Sequence, residues 1–275
     1  MLWIYIIVAF VAALLMVFLC IFAIKRPSNS VALWAAILTI SLLIAALFVY
    51  GIPYYRASEF ENYMRQTYPV MSLIEQQSPT EFRAYMDEAQ HAIRHSKGQK
   101  VVAVYTGEFI NSQLSKYIGR ASNLSIYEYT VTTLNCYHSL YKTNPPLVID
   151  MEFASFFPNR INFDNLEKGT EVCGDTITIA KLNIIESAIR NPSPPITQEE
   201  IVAAQVNLRE IFAQLAAKYG EAAIEQTFTK PYDALDKPQI ANIIIEFYEK
   251  VILKGQDNTG ILLKYLLTQK ITNEE

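Results

Sequence analysis

Two uninterrupted apolar runs precede a long stretch in which hydrophobic residues recur every three or four positions. Leu2 to Ile24 is 23 residues without charge, Pro or Gly, and Val31 to Ile52 is a second uncharged run of 22. At about 1.5 Å per residue, either run is long enough as a helix for a hydrocarbon core of roughly 30 Å. Lys25 to Ser30, the polar link between them, leaves room only for a turn. Residues 1–52 are therefore predicted to form a transmembrane hairpin, with antiparallel helices at about 2–24 and 31–52. Ala9, Ala12 and Ala13 in the first run and Ala35, Ala36, Ala45 and Ala46 in the second permit close approach. Thr39 and Ser41 can return their hydroxyls to the backbone one turn back. No basic segment precedes the first run, and its length exceeds that of a leader's apolar core, so a cleaved signal is not expected.

Beyond residue 52 the spacing predicts helices. Phe60, Tyr63, Met64 and Met71 place one over 57–77. Ser78-Pro79-Thr80-Glu81 reads as a capping box opening the next, with Lys97-Gly98 as its stop. Residues 99–118 combine a strand-like Val101–Tyr105 with helical spacing later on, and helix is the preferred reading. Over 122–142, Leu124, Tyr127, Val131, Leu134, His138 and Tyr141 form a stripe expected to face the core. Periodicity then fails from 144 to 174 and resumes at Asp175, until Asn191-Pro192-Ser193-Pro194-Pro195 stops it. Thr197-Gln198-Glu199-Glu200 is a second capping box, for a helix to about Tyr219 with Gly220 after it. Short helices near 221–228, from Asp236-Lys237-Pro238 to about 253, and over 259–270 complete the chain. The expected fold class is all-α, a hairpin followed by a helical domain over 53–275, with lobes at about 53–143 and 175–275 divided by the irregular segment 144–174.

Charge sharpens the division. Lys25 and Arg26 are the only charged residues before position 53. Taking them from the chain's 23 basic residues leaves 21 against 27 acidic ones, a balance of −6. A mixed, mildly acidic surface lacks the concentrated positive field that nucleic acid requires. Basic residues favour the cytoplasmic side, and these two lie directly against the apolar runs. The helical domain and both chain ends are therefore expected together on the non-cytoplasmic side, periplasmic or extracellular. Arg56 and Arg65 pull the other way from a greater distance.

Candidate chemistry is sparse. Cys136 and Cys173, the two cysteines beyond the hairpin, are disulfide candidates in an exported domain. Cys173 also precedes the apparent helix start at Asp175, where a thiol can be activated, with His138 as the partner base. Asp87, His91 and His95 are spaced by four on one predicted helix face, an arrangement able to offer a metal two imidazoles. A solvated polar face explains them equally well, so no metal is favoured. Phe153, Phe156 and Phe157 fall in the irregular segment and are read as an interaction site. Tyr127, Tyr129, Tyr137 and Tyr141 are read as packed rings, and Asp150 and Glu152 as carboxylates with no shown convergence. G-x-S-x-G, C-x-x-C, H-E-x-x-H and phosphate-binding glycine loops are absent.

No catalytic residue is named and no cofactor is called for. The function expected is a membrane-tethered helical interaction or assembly module of the cell envelope, with the lipid bilayer and other membrane or envelope proteins as partners. The alternatives are a membrane-bound metal- or thiol-dependent hydrolase and an accessory subunit of a membrane secretion or transport complex.

Overall fold

The computed structural model describes residues 21, 30–95, 99–154, 156, 157, 160 and 162–268, and among them every element is helical. Apart from Ile21 and Ser30, the first predicted membrane helix and the turn after it lie outside the described residues, as does the expected stop at Lys97-Gly98. The second predicted span is helical. Helix α1 (Ser30–Ala46) passes through a π turn (Leu47–Gly51) directly into α2 (Ile52–Thr67). Pro53 accounts for the π turn: it has no N–H to give, and its ring crowds the carbonyl one turn back. Ser41 Oγ donates to the Ile37 carbonyl at 2.8 Å, as a hydroxyl in an apolar helix must.

The helix predicted over 57–77 is in fact two. It stops at Thr67, and α3 (Val70–Gln77) begins after Pro69. Proline disfavours helical geometry in the residue before it, here Tyr68. The next helix, α4 (Pro79–Arg94), starts where expected, but the capping box does not form. Ser78 N–H donates to the Ile74 carbonyl at the end of α3. The Ser78 hydroxyl meets Lys116 Nζ at 2.8 Å and Tyr117 at 3.2 Å. Glu81 accepts from Gln113 and Lys116 on α5 (Gln99–Tyr117). A contact with a neighbouring helix has displaced the local one.

The chain divides into two compact units. One holds residues up to 63 together with 86–102; the other holds 64–85 and everything from 103 onward. In the first, Trp34, Leu38, Leu42, Phe48, Val49 and Tyr50 are exposed along the apolar helix. Within the described residues, Ile37–Thr67 is long and apolar enough to cross a membrane, and no part of its apolar window is buried.

The second unit is built around α6 (Asn123–Thr143). It lies against α7 (Pro146–Phe153), α8 (Phe163–Arg190), α11 (Lys237–Ile252) and α12 (Gln256–Thr268). Helix α9 (Gln198–Tyr219) covers α11 and α12, and α10 (Glu221–Thr229) packs on α9 and α11. Being central, α6 does not bury the stripe expected of it. Leu124 is exposed, while Ile126, Thr130, Thr133, Tyr137 and Leu140 are inside. Two of these are threonines, which a hydrophobic stripe passes over. Thr130 becomes compatible with burial by donating to the Ile126 carbonyl at 2.7 Å. Close approach of α6 and α12 depends on Gly260, whose absent Cβ would sit 2.6 Å from the Asn123 Cα.

The irregular segment 144–174 is shorter than predicted. Helix α7 occupies 146–153, and α8 begins at Phe163 rather than Asp175. The Asn162 side chain caps α8 by accepting from the N–H groups of Asp164 and Asn165. The lobes expected at 53–143 and 175–275 are not separate bodies, because α6 from one lies among α8, α11 and α12 from the other. The capping box of Thr197 and Glu200 forms in full, and Gly220, at φ +86°, ends α9.

Candidate functional site

Helices α6, α7, α8 and α11 enclose a polar knot inside the second unit. Glu152 projects from α7 and accepts from Tyr137 of α6 at 2.5 Å and from Tyr248 of α11 at 3.0 Å, both on Oε2. The two phenol rings meet edge-on at 5.5 Å. Lys181 of α8 stands close enough for its charge to act on Glu152, and its ammonium donates to Asn111 Oδ1 at 2.8 Å. Burial raises the Glu152 carboxyl, opposed by the two phenol bonds and then by Lys181. Burial lowers Lys181, opposed by Glu152. Tyr137 and Tyr248 are pushed well up, first by burial and then by the Glu152 charge. Each residue's shift has the sign that desolvation dictates; partners partly offset it for Glu152 and Lys181, while the Glu152 charge adds to it for the two phenols. Such a knot fixes the register of four helices.

The disulfide lies one residue from this knot in sequence. Cys136 of α6 is joined to Cys173 of α8, with the Cα atoms 5.8 Å apart and both residues buried. Because α8 starts at Phe163, twelve residues before the Asp175 that the sequence pattern implies, Cys173 sits within the helix and not at its N-terminus. Its sulfur lies 3.6 Å from the Gly169 carbonyl. The geometry that would activate a thiol is therefore missing, and the half-exposed His138 faces Glu249 at 3.3 Å.

A shallow groove of about 300 Å³ opens between α6 and α8. Ser125, Glu128, Tyr129 and Thr132 line one wall, and Thr176, Ile179, Ala180 and Asn183 the other. Tyr129 connects the groove with the knot: burial, and after it the Glu152 charge, push its phenol up to about 12. At the groove's end the Ser125 and Ser187 hydroxyls bond at 2.9 Å, tying α6 to α8. The groove has one carboxylate, Glu128, and no nucleophile–base pair among its lining residues.

A second polar cluster joins α7 to the turn at Pro231–Asp233. Asp150 is buried and accepts from Asn165 Nδ2 at 2.9 Å. Burial raises its carboxyl, opposed by its hydrogen bonds and by Lys237. Lys237 donates to the carbonyls of Pro231 and Tyr232. Asp150 and Glu152, two residues apart on one helix, serve different clusters because that spacing points them to different sides.

The three phenylalanines cluster. Phe153 is buried, Phe156 is exposed, and both Phe156 and Phe157 meet the Phe153 ring edge-on near 6 Å. Phe157 also packs on Tyr232 at 5.9 Å. Most of the trio thus belongs to the core, and only Phe156 presents its ring outward. Asp87 and His91 on α4 and His95 just past its end are all exposed, with the two imidazole centroids 4.2 Å apart. Among the described residues, no three His, Cys, Asp or Glu side chains are gathered so as to hold a metal ion.

Sequence reasoning missed the knot. Its signal was present as tyrosines four to eight residues apart on one helix, but Glu152, Lys181 and Tyr248 come from three other helices. No family model matches this chain, and no curated protein or solved structure is recognisably similar to it.

Proposed function

We propose that this protein is a membrane-tethered helical interaction module. Residues 1–52 anchor it as a two-helix hairpin, and its helical body engages other membrane or envelope proteins. The observation that carries the reading is the apolar helix on which Trp34, Leu38, Leu42, Leu47, Phe48, Val49 and Tyr50 are exposed and which continues through the π turn into α2. In water that surface would cost about 25 cal/mol per Å², so a lipid surrounding is the state in which it is stable. The body stands on the non-cytoplasmic side. A disulfide between Cys136 and Cys173 suits an oxidising compartment, in agreement with the position of Lys25 and Arg26.

The binding face is the groove between α6 and α8 together with the exposed Val172 and Ile179 on the rim of α8. A rigid wall held by the knot and the disulfide keeps such a face pre-organised, which lowers the entropy cost of association. Confinement to the membrane plane raises the effective concentration of partners.

The test is crosslinking in cells, followed by purification in mild detergent, with a reporter fused after residue 275. The expected outcome is protein in the membrane fraction, an active non-cytoplasmic reporter, and a partner whose capture falls when Ile179 and Val172 are changed to Asp. Protein in the supernatant after high-speed centrifugation without detergent overturns the tether. A membrane-bound chain that always purifies alone overturns the interaction role.

A further inference from the structure

At the end of the apolar helix, Tyr50 and Tyr54 are 74% and 64% exposed. The Arg94 guanidinium lies over the Tyr54 ring, 4.9 Å from its centroid. Arg94 is the last residue of α4 and donates to Gln90 Oε1 at 2.9 Å. The His91 and His95 rings, 4.2 Å apart, belong to the same end of that helix, and both residues are exposed. All of these residues lie in the first compact unit.

The surrounding charges leave this corner positive. On α4 the nearest carboxylates, Asp87 and Glu88, are roughly 10 Å back along the axis from Arg94 and one turn back from His91. On α2, Glu59 and Glu61 lie roughly 8–10 Å beyond Tyr54. The chain has no carboxylate from residue 89 to residue 107. Cations at a helix C-terminus are ordinary, because the dipole favours them there. Stacking one on an exposed tyrosine at the end of an apolar helix is a different matter. Tyrosines at that place belong to the headgroup level of a bilayer. A guanidinium presents five N–H donors in a planar fork, and the contact with Gln90 does not exhaust them. Stacking on the ring orients the fork without consuming its donors, and a phosphate is the oxyanion whose geometry it fits.

We infer that Tyr54, His91, Arg94 and His95 form a headgroup site for an anionic phospholipid at the membrane surface. The inference rests on the apolar helix being the membrane anchor. The lipid phosphate takes the Arg94 fork, Tyr50 and Tyr54 flank it at the interface, and the imidazoles supply further donors. Occupancy would hold the end of α4 against the bilayer.

The test uses the full chain in nanodiscs of equal parts phosphatidylcholine and phosphatidylglycerol, released into a native mass spectrometer. The expected ratio of retained phosphatidylglycerol to phosphatidylcholine is about fivefold, the factor for one cation at an anionic surface. Arg94→Gln should bring the ratio close to one. Arg94→Lys, which keeps the charge and loses the fork, should fall between. Amide exchange of α4 checks that the variants remain folded. A wild-type ratio near one, or an Arg94→Gln ratio equal to wild type, overturns the site and leaves the anchor intact. A chain that enters no nanodisc overturns both.

Discussion

Removing the bridge between Cys136 and Cys173 tests how the second unit is held together. The two residues are 37 apart in sequence, so the bond closes a loop of 38 residues. For that length the chain-entropy relation gives about 13 cal/mol/K, or about 4 kcal/mol at 25 °C. Nearly all of it acts on the unfolded chain, since α6 and α8 remain in contact through Ser125 and Ser187 without the bond. For a body of this size 1 kcal/mol corresponds to about 2–4 °C, so complete reduction should lower the midpoint by about 8–16 °C. The measurement is thermal unfolding of the full chain in detergent, oxidised and reduced, with thiol titration confirming the state. The double variant Cys136→Ala/Cys173→Ala should melt lower still, by about 1 kcal/mol, because it also removes two buried sulfur atoms. Oxidised and reduced protein melting within about 2 °C of each other would refute the reasoning. Loop closure would then contribute little, and packing alone would hold α6 to α8.

Two further outcomes are expected. Gly260→Ala should destabilise the second unit by about 1–3 kcal/mol, because the new methyl meets the Asn123 backbone, which cannot swing aside as a side chain can; urea unfolding of wild type and variant measures it, and an unchanged midpoint would show that α6 and α12 can separate at little cost. Glu152→Gln should alter the dependence of stability on pH. Burial raises the Glu152 carboxyl in the fold, so its stabilising share is complete below the unfolded value of about 4.3 and is lost as pH rises through the folded one. The difference in stability, wild type minus Glu152→Gln, should therefore fall as pH is raised from 4 and then level off. Parallel curves for the two proteins over that range would mean that Glu152 titrates as it does in water.

The sequence by itself determined most of the helical segments and which run is long and apolar enough to cross a membrane. Both are local properties. The run 31–52 has no charge to place in water, and Thr197 and Glu200 satisfy each other's backbone within one turn, whatever surrounds them. Pro69 and Pro53 mark a break and a π turn for equally local reasons, although the spacing of Phe60, Tyr63, Met64 and Met71 hid the first of them. The tertiary structure decided which faces are inside. The stripe from Leu124 to Tyr141 is the more apolar side of α6, yet Thr130, Thr133 and Tyr137 are buried, because five helices meet there and the Thr130 and Tyr137 hydroxyls are satisfied by Ile126 and Glu152. It also moved the start of α8 from Asp175 to Phe163, which placed Cys173 mid-helix and beside Cys136. The capping box at Ser78 lost its partners to Lys116, Tyr117 and Gln113, about 35 residues away along the chain. Local hydrogen bonds and apolar periodicity are written in neighbouring residues. The pairing of Glu152 with Tyr137, Tyr248 and Lys181 depends on four helices arriving together, and a single chain read in order carries no record of that meeting.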